Sequence, residues 1–219
     1  MKFISLRQLR QQGQLFIIGC LGCLSCLFIS CGEDDATVDE YADWTARNDQ
    51  FLAALANDSL RQAGWYRYKK YSLNDESEGT ISQYIYVKVV ESGDGLDCPM
   101  FTDSVRVCYQ GRLIPTVLHP EGYVFDGTIY GTYNPATNSN TKFLLSSSSI
   151  IDGFSTALLH MHRGDHWRVY IPSELAYKET VNGVIPAHSL LIFDLTLIDF
   201  SPAGQVMPVW SSREMMDEW

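Results

Sequence analysis

The sequence predicts an α+β fold in which one curved antiparallel β-sheet wraps a single short helix. Three observations support this prediction. Several segments alternate apolar and polar residues with a period of two, which is typical of half-buried strands. Turns containing glycine and aspartate separate these segments, and one segment among them carries apolar residues at helical spacing. With 219 residues, of which 46% are hydrophobic and 19% charged, the chain suits one or two globular domains.

Charge is distributed unevenly along the chain. The first thirty residues hold Lys2, Arg7 and Arg10 and no acidic residue. Since three of the 16 basic residues lie there, the rest of the chain carries 13 basic and 26 acidic residues, a net charge of −13. A body of this charge repels nucleic acid and anionic lipid headgroups, so nucleic acid is not expected as a partner.

The N-terminus has the pattern of a secretory signal. An apolar run covers residues 15–29, which is short for a bilayer span and suits the hydrophobic region of a signal peptide. The run ends at Ser30-Cys31, a junction that resembles the lipobox at which bacterial lipoproteins are cleaved and acylated. We therefore expect a signal peptide over residues 1–30 and lipid attachment at Cys31, which would hold the protein on a membrane. A competing junction before Cys20 is less favourable, because cleavage there would leave a hydrophobic tail on the mature chain.

An acidic tether follows over residues 31–36, with the sequence Gly-Glu-Asp-Asp after Cys31. This patch resembles the signal that sends lipoproteins to the cell surface in some Gram-negative lineages, and an ordinary polar tether is the alternative. The predicted location is the cell envelope of a Gram-negative bacterium, as an outer-membrane lipoprotein that faces the periplasm or the cell surface.

Cysteine and histidine spacing does not predict a metal site. Four of the six cysteines lie in or beside the apolar run, which offers no polar support for thiolate ligands. His160 and His162 would lie about 200° apart on a helix, so they would not face one ion, and neither a metal nor another cofactor is expected. Cys98 and Cys108 remain, and an exported protein can either join them or leave them free.

A helix is predicted over residues 38–57, within an N-terminal extension of residues 37–83 that also holds the first strand. Thr37 and Glu40 have the spacing of a capping box. The apolar residues that recur on one helical face are Tyr41, Trp44, Phe51, Leu52 and Leu55. This helix either packs on the following domain as an accessory element or serves in dimerisation or docking.

Seven strands and one further helix are predicted after the N-terminal helix. The strands cover residues 65–68, 84–90, 105–109, 123–126, 141–145, 166–171 and 190–200. The helix is predicted over residues 150–161, where the residues on one face are Phe154, Ala157, Leu158 and Met161. One sheet and one enclosed helix follow from this order of elements.

Five short motifs lie at strand ends and at the start of the second helix. They are Tyr-Gln-Gly at 109–111, Phe-Asp at 125–126, Ile-Ile-Asp-Gly-Phe at 150–154, Ala-Tyr at 176–177, and Val-Ile-Pro-Ala-His at 184–188 running towards Phe193. Their order and spacing resemble the FKBP-type peptidyl-prolyl cis-trans isomerases. The resemblance covers residues 84–200 and implies an FKBP-like sheet wrapped around the short helix.

The resemblance also implies an apolar pocket with Phe154 as its floor and Asp126 as the polar group at its edge. The implied catalytic residues are Tyr109, Phe125, Asp126, Ile151, Phe154, Tyr177 and Phe193. The implied substrate-binding residues are Ile150, Val184 and Ile185. In the family, the tyrosine that matches Tyr177 donates a hydrogen bond to a substrate carbonyl, and the backbone N–H that matches Ile151 is a second donor.

Three departures from the family pattern bear on this pocket. Phe154 stands where the family usually has tryptophan, which keeps a flat aromatic surface but loses the indole N–H. Thr141 stands where the family usually has phenylalanine, so one wall should be thinner. Residues 178–182 replace a more glycine-rich loop that overhangs the pocket.

The implied activity is cis-trans isomerisation of X-Pro bonds in proline-containing polypeptides, which would assist the folding of exported proteins. Macrolides of the tacrolimus type would be inhibitors. Such a site needs no nucleophile, metal or general base, since an apolar pocket penalises the planar ground state more than the twisted transition state. A catalytically weak or inactive binding or chaperone module is the alternative, and Phe154 and Thr141 weakly favour it.

Two further segments lie outside these motifs. The segment of residues 114–121 is longer than the corresponding family turn. Three interpretations are open: it extends the sheet edge, contacts a partner, or is a simple surface insertion. Residues 201–219 are too apolar for a free tail, so we expect this C-terminal segment to pack against the N-terminal helix or on the back of the sheet. Its apolar residues are Val209, Trp210, Met215, Met216 and Trp219.

Overall fold

The structure is a computed structural model that describes residues 39–58, 61–73, 76, 78–134 and 137–208. The helices are α1 (Trp44–Asp58) and α2 (Asp152–Leu158). The strands are β1 (Trp65–Lys69), β2 (Tyr84–Glu91), β3 (Ser104–Leu113), β4 (Val124–Gly127), β5 (Thr141–Leu144), β6 (His166–Ile171) and β7 (Leu191–Ser201). The α+β class predicted from the sequence is confirmed.

One antiparallel sheet contains the seven strands, in the order β1-β2-β6-β7-β3-β4, with β5 paired to the other end of β3. The central strands β3 and β7 are the longest, and they pair from Ser104↔Ser201 to Leu113↔Leu191. Register shifts in β2, β3 and their partners mark bulges, which increase the twist of a sheet and bend it. The curved sheet thereby forms a concave face.

Helix α2 is enclosed by the sheet, and its residues 153–158 are all buried. Gly153 allows the helix to approach β6 closely, because a Cβ atom at this position would lie 2.2 Å from Cγ2 of Ile171. The core of the molecule therefore lies between α2 and the inner face of the sheet, where Leu158, Val169 and Leu195 are fully buried.

The two helices begin and end at different residues from those predicted. Helix α1 begins at Trp44 rather than at residue 38, because residues 40–43 form a turn in which Asp43 has a φ of 52°. Tyr41 continues the apolar pattern without being helical, since its ring packs edge-on against Trp44 at 5.0 Å. Thr37, the other half of the predicted capping box, lies outside the described residues.

Helix α2 covers residues 152–158 rather than 150–161. Beyond Leu158 two backbone hydrogen bonds span three residues, as in a 3₁₀ turn, instead of the four of an α-helix. They run from the His160 N–H to the Ala157 carbonyl and from the Met161 N–H to the Leu158 carbonyl. Met161 is nevertheless fully buried. The apolar pattern therefore predicts the burial of Met161 correctly, and its extension of the helix to residue 161 is wrong. The predicted strands agree with the observed ones to about one residue, except that β3 continues to Leu113.

Beyond β7, residues 202–206 of the C-terminal segment are exposed, and Met207 and Pro208 contact the rest of the fold. Met207 is buried, and the guanidinium group of Arg106 on β3 donates a hydrogen bond to the Pro208 carbonyl. Packing of the whole segment against the N-terminal helix or on the back of the sheet stays a prediction. The apolar residues of the segment from Val209 onward lie outside the described residues.

The predicted signal peptide, the lipidation site Cys31 and the acidic tether also lie outside the described residues. Within the part of the chain that the structure describes, no helix combines the length and the apolar character that crossing a membrane would require.

Candidate active site

Phe154 and four further aromatic rings lie together, and we call these five residues the aromatic cluster: Tyr109, Phe125, Phe143, Phe154 and Phe193. The ring centroid of Phe154 lies 5.2 Å from that of Phe193, 5.7 Å from that of Tyr109 and 5.9 Å from that of Phe143. All three contacts are edge-to-face, which is a favoured geometry for aromatic pairs. Phe125 extends the cluster through an edge-to-face contact with Phe193 at 5.7 Å.

The register of the sheet brings these rings together from distant parts of the sequence. Tyr109 pairs with Leu195 and Gly111 pairs with Phe193, so Tyr109 and Phe193 are diagonal neighbours on the inner face. Phe154 reaches the same face from α2 as the predicted floor, with only 5% of its surface exposed. Phe125 reaches it from β4, where it is half-buried.

Gly111 makes room for two of the rings. A Cβ atom at this position would lie 2.6 Å from Cζ of Phe125 and 2.7 Å from Cε1 of Phe193. Both distances are below van der Waals contact, so a side chain here would displace the rings. The motif at 109–111 contains this glycine, but alternation alone could not show that its missing side chain is needed.

Asp126 lies at the edge of the cluster with its side chain partly in solvent. The hydroxyl of Tyr109 donates a hydrogen bond of 2.7 Å to Asp126 Oδ2, and the Gly127 N–H donates one of 2.8 Å to Oδ1. Burial, together with the neighbouring carboxylate, raises the pKa of Tyr109 far above its ordinary value. The phenol therefore stays protonated and continues to donate to Asp126 at any physiological pH.

The start of α2 places the two predicted isoleucines. Ile151 is the N-cap residue with an extended backbone, and Ile150 precedes it; both are half-buried. The carbonyl of Ile151 accepts hydrogen bonds from the N–H groups of Phe154 and Ser155. Asp152 forms an ion pair of 2.6 Å with Lys70, which ties the first turn of α2 to the chain that follows β1.

Residues 176–190 form a loop that carries Tyr177, Val184 and Ile185. We call it the substrate loop, because the resemblance to the family implies that these three residues contact the substrate. Tyr177 is half-buried, Ile185 is buried and Val184 is exposed. Ile185 forms an isolated antiparallel bridge with Asn182, which closes the tip of the loop. A bond of 2.7 Å from the His188 N–H to the Lys178 carbonyl closes its base.

Sequence reasoning missed one member of the cluster, Phe143. It predicted a thinner wall because Thr141 stands where the family usually has phenylalanine. Thr141 and Phe143 lie two residues apart on β5 and so share a face, and the ring of Phe143 contacts both Tyr109 and Phe154. The alternation along β5 was the signal that could have identified it.

The three histidines at and after the end of α2, His160, His162 and His166, lie in separate environments. The ring of His160 contacts Tyr68 at 4.3 Å, His162 lies 3.5 Å from Asp165, and buried His166 packs against Tyr133 at 4.5 Å. Within the described residues no three histidine, cysteine or carboxylate side chains converge as a metal site would require.

Both described cysteines are free thiols. The thiol of Cys108 is buried on the outer face of the sheet and lies 3.1 Å from the Ser139 carbonyl. Burial raises the pKa of Cys108 to about 11. The structure has Cys98 and Cys108 as separate thiols, which is one of the two alternatives that the sequence left open.

Comparison with known proteins identifies the family. The FKBP_C family, described as FKBP-type peptidyl-prolyl cis-trans isomerase, matches residues 98–198. The sequence had indicated a resemblance over residues 84–200, so the match begins after β2. It includes the aromatic cluster, Asp126, the start of α2 and the substrate loop.

Curated relatives cover the same region. Peptidyl-prolyl cis-trans isomerase Mip of Coxiella burnetii is 37% identical over 120 residues, which are 54% of this chain and 46% of that protein. Peptidyl-prolyl cis-trans isomerase FPR2 of Saccharomyces cerevisiae is 34% identical over 119 residues, which are 54% of this chain and 80% of that protein. The chain spans about half the length of most of the curated relatives that it matches.

Solved structures show the same fold. FkpA from Escherichia coli is 28% identical and superposes with a TM-score of 0.54, covering 74% of this chain and 61% of that one. A peptidyl-prolyl cis-trans isomerase from Pseudomonas syringae is 25% identical with a TM-score of 0.51, covering 74% of this chain and 96% of that one. Since the yeast relative is matched over four fifths of its length and the family match contains the aromatic cluster, the chain belongs to the FKBP-type peptidyl-prolyl cis-trans isomerase family.

Proposed function

We propose that this protein catalyses the cis-trans isomerisation of X-Pro bonds in polypeptides. The observation that carries the proposal is the aromatic cluster, in which the edge-to-face packing around Phe154 builds a flat apolar floor beside the hydrogen-bonded pair of Tyr109 and Asp126. A proline ring is apolar and compact, so it fits against a floor of this kind.

The chemistry requires no reacting side chain. Rotation about an X-Pro bond breaks amide resonance and crosses a barrier of about 18–20 kcal/mol. In the twisted transition state the carbonyl is less dipolar than in the planar ground state. An apolar site that excludes water therefore destabilises the ground state more than the transition state, which is the differential binding that catalysis needs.

Each predicted site residue takes a role in this proposal. Phe154 supports the proline ring, and Phe125 and Phe193 form walls beside it. Asp126 accepts the hydrogen bond of the Tyr109 hydroxyl, so this hydroxyl does not donate to the imide bond of the substrate. Tyr177 donates a hydrogen bond to a substrate carbonyl. The remaining contacts with the substrate come from Ile150, Val184, Ile185 and the backbone N–H of Ile151.

The substrates we propose are proline-containing segments of exported proteins, and the place of action is the cell envelope, with Cys31 acylated as the membrane anchor. A relative from Legionella longbeachae, 35% identical over 118 residues, is named as an outer membrane protein. That name supports an envelope location, and the Ser30-Cys31 junction supports the anchor. Macrolides of the tacrolimus type are proposed to compete for the aromatic cluster.

A binding or chaperone module with weak catalysis is the second candidate. Phe154 favours it, because the family usually has tryptophan at this position and phenylalanine offers less area and no indole N–H to a ligand.

A protease-coupled assay with an X-Pro peptide, run on residues 32–219, separates the two candidates. We expect the wild type to accelerate isomerisation and Phe125→Ala to reduce the rate, since it removes a wall that excludes water. A chelator and a thiol-blocking reagent should leave the isomerisation rate unchanged.

Phe101→Ala is the matched control for Phe125→Ala, because Phe101 packs against Tyr71, outside the aromatic cluster. Phe→Ala in a core costs about 3–5 kcal/mol, so circular dichroism must first show that both variants are folded. Folded wild type that does not accelerate isomerisation over buffer would exclude the enzyme.

A further inference from the structure

Two buried side chains of helix α1, Trp44 and Asn48, form hydrogen bonds with the substrate loop. The indole N–H of Trp44 donates a hydrogen bond of 2.8 Å to the hydroxyl of Ser189. One turn later, Asn48 Oδ1 accepts a bond of 2.8 Å from the Leu190 N–H, while its amide group donates to the Trp44 carbonyl at 2.7 Å. Trp44, Asn48 and Ser189 are each at most 6% exposed, so these bonds are shielded from competing water.

Ser189 connects Trp44 to the part of the loop next to Ile185. Its hydroxyl accepts from Trp44 and donates a bond of 2.6 Å to the Pro186 carbonyl. Pro186 directly follows Ile185. The resemblance to the family implies that Ile185 is a substrate-binding residue. Two hydrogen bonds therefore connect the indole ring of α1 to the residue beside a pocket wall.

The segment held in this way contains disfavoured backbone conformations. Lys178 and His188 have φ values of 55° and 60°, in the left-handed region that residues with a Cβ atom rarely adopt. The two residues are joined by the bond from the His188 N–H to the Lys178 carbonyl, and Tyr177 precedes Lys178. Such conformations persist only where surrounding contacts hold them. The bonds from α1 to Ser189 and Leu190, next to His188, are contacts of this kind.

We propose that Trp44 and Asn48 are positioning residues for the substrate loop, which hold Tyr177 and Ile185 at the spacing that a proline-containing segment requires. This inference rests on the proposed isomerase function. Helix α1 lies outside residues 98–198, so the N-terminal extension adds this support to the part of the chain that matches the family. Neither side chain of α1 touches the substrate.

The proposal predicts a particular kinetic signature. The substrate loop supplies contacts on one side of the substrate, whereas the aromatic cluster is built by the sheet and α2. Loosening the loop should therefore weaken substrate binding and raise KM, with a smaller effect on kcat.

The kinetic test uses the full chain in detergent and the variants Trp44→Phe, Ser189→Ala and their combination. Each single variant should lower kcat/KM about five- to tenfold, the size expected for a lost buried hydrogen bond, chiefly through KM. Because Trp44 acts through the Ser189 hydroxyl, the double variant should lose no more of kcat/KM than Ser189→Ala alone.

Phe51→Leu is the control on the same helix, since Phe51 packs on Tyr170 of the sheet. It should lower thermal stability and leave KM unchanged. Additive losses in the double variant, or an equal rise of KM in the control, would overturn the proposal.

Hydrogen exchange distinguishes a failure of this proposal from a failure of the proposed function. Trp44→Phe should accelerate exchange of the His188 and Leu190 amides, and Phe51→Leu should not. If these amides respond but the wild-type chain does not accelerate isomerisation, the enzyme proposal fails and the support of the loop by α1 is upheld. If their exchange is unchanged in Trp44→Phe, the positioning role is wrong whether or not the chain is an enzyme.

Discussion

At the scale of single residues, the aromatic cluster depends on one position without a side chain and one hydroxyl. Gly111 lets the rings of Phe125 and Phe193 meet, and the Tyr109 hydroxyl holds Asp126 at the edge. The missing side chain of Gly111 and the polar hydroxyl of Tyr109 thus both help to set the shape of an apolar site.

Gly111→Ala tests the first of these features. Its Cβ atom would lie within 2.7 Å of both neighbouring rings, so the variant should be overpacked and lose about 1–3 kcal/mol of unfolding free energy. Urea denaturation measures the loss, and the isomerase rate of the folded variant should also fall because the walls move. Wild-type stability together with a wild-type rate would show that the rings shift aside without cost.

The thiol of Cys108 should be unreactive in the native protein. With its pKa raised to about 11 by burial, only about one thiol in a thousand is ionised at pH 8, and the thiolate is the reactive form. Cys98 is only half-buried, so a thiol reagent should label it first. Pulse labelling with mass spectrometry should detect modified Cys108 only as the protein unfolds in denaturant. Equal labelling rates at the two positions under native conditions would contradict the buried placement.

At the scale of elements, the chain preceding α1 is joined to the insertion at residues 114–121 by the Glu40 cluster of Glu40, Thr116 and His119. Glu40 Oε1 accepts a hydrogen bond from the Thr116 hydroxyl and lies 2.6 Å from Nδ1 of His119. Arg47 of α1 adds a bond of 3.3 Å to the Pro115 carbonyl. The insertion therefore has a structural role that the sequence left open, since it forms part of the surface on which the N-terminal extension packs.

The Glu40 cluster should make stability depend on pH. Hydrogen bonds from His119 and Thr116 hold the pKa of Glu40 below its ordinary value. A carboxyl whose folded pKa is depressed stabilises the fold fully above its unfolded pKa, and this contribution is lost as pH falls through the folded pKa. Glu40→Gln should therefore be less stable than the wild type near pH 6, and the difference should shrink towards about pH 3, since an unperturbed glutamate titrates near 4.3.

Thermal unfolding of the two proteins across this pH range measures that difference. Glu91→Gln is a suitable control, because Glu91 ends β2 on the exposed surface and lies outside the cluster. A stability difference for Glu40→Gln that stays constant down to pH 3 would show that the Glu40 carboxylate contributes nothing to the contact.

At the scale of the whole molecule, a domain that matches a known family is extended at both ends. Helix α1 is bonded to the substrate loop through Trp44 and Ser189, and the Pro208 carbonyl accepts a hydrogen bond from Arg106 of the sheet. The predicted signal peptide and lipid anchor precede both. The family domain thus receives support from chain on each side of it.

Deleting residues 202–219 should destabilise the molecule. The deletion exposes the site of Met207, whose side chain is 5% exposed, and removes the carbonyl that accepts from Arg106. Loss of one buried methionine costs about 2 kcal/mol, which lowers the melting temperature of a chain of this size by about 4–8 °C. Differential scanning calorimetry measures the change. An unchanged melting temperature would instead indicate a free C-terminal segment.

Cys31→Ala should release the protein from membranes or leave it as an uncleaved precursor, because the acyl chains need the Cys31 thiol. Fractionation of cells fed a labelled fatty acid provides the measurement, with Cys26→Ala as the matched control in the apolar run. Equal incorporation of label by Cys31→Ala and the wild type would place the lipid elsewhere.

The sequence by itself determined the fold class, the seven strands and most of the candidate site. Period-two alternation depends only on which residues face the core, and it located each strand to about one residue apart from the end of β3. The motifs containing Tyr109, Phe125, Asp126 and Phe154 indicated the family, because their order along the chain reflects one particular sheet topology.

The tertiary structure alone decided the helix ends, the role of Phe143 and the contact of α1 with Ser189. Buried apolar residues keep their pattern beyond a helix, as Tyr41 and Met161 do, so periodicity cannot mark where hydrogen bonding changes. The indole of Trp44 and the hydroxyl of Ser189 are 145 residues apart in sequence. Such a contact depends on how the elements pack, because hydrogen bonds over this separation leave no local pattern in the residues between them.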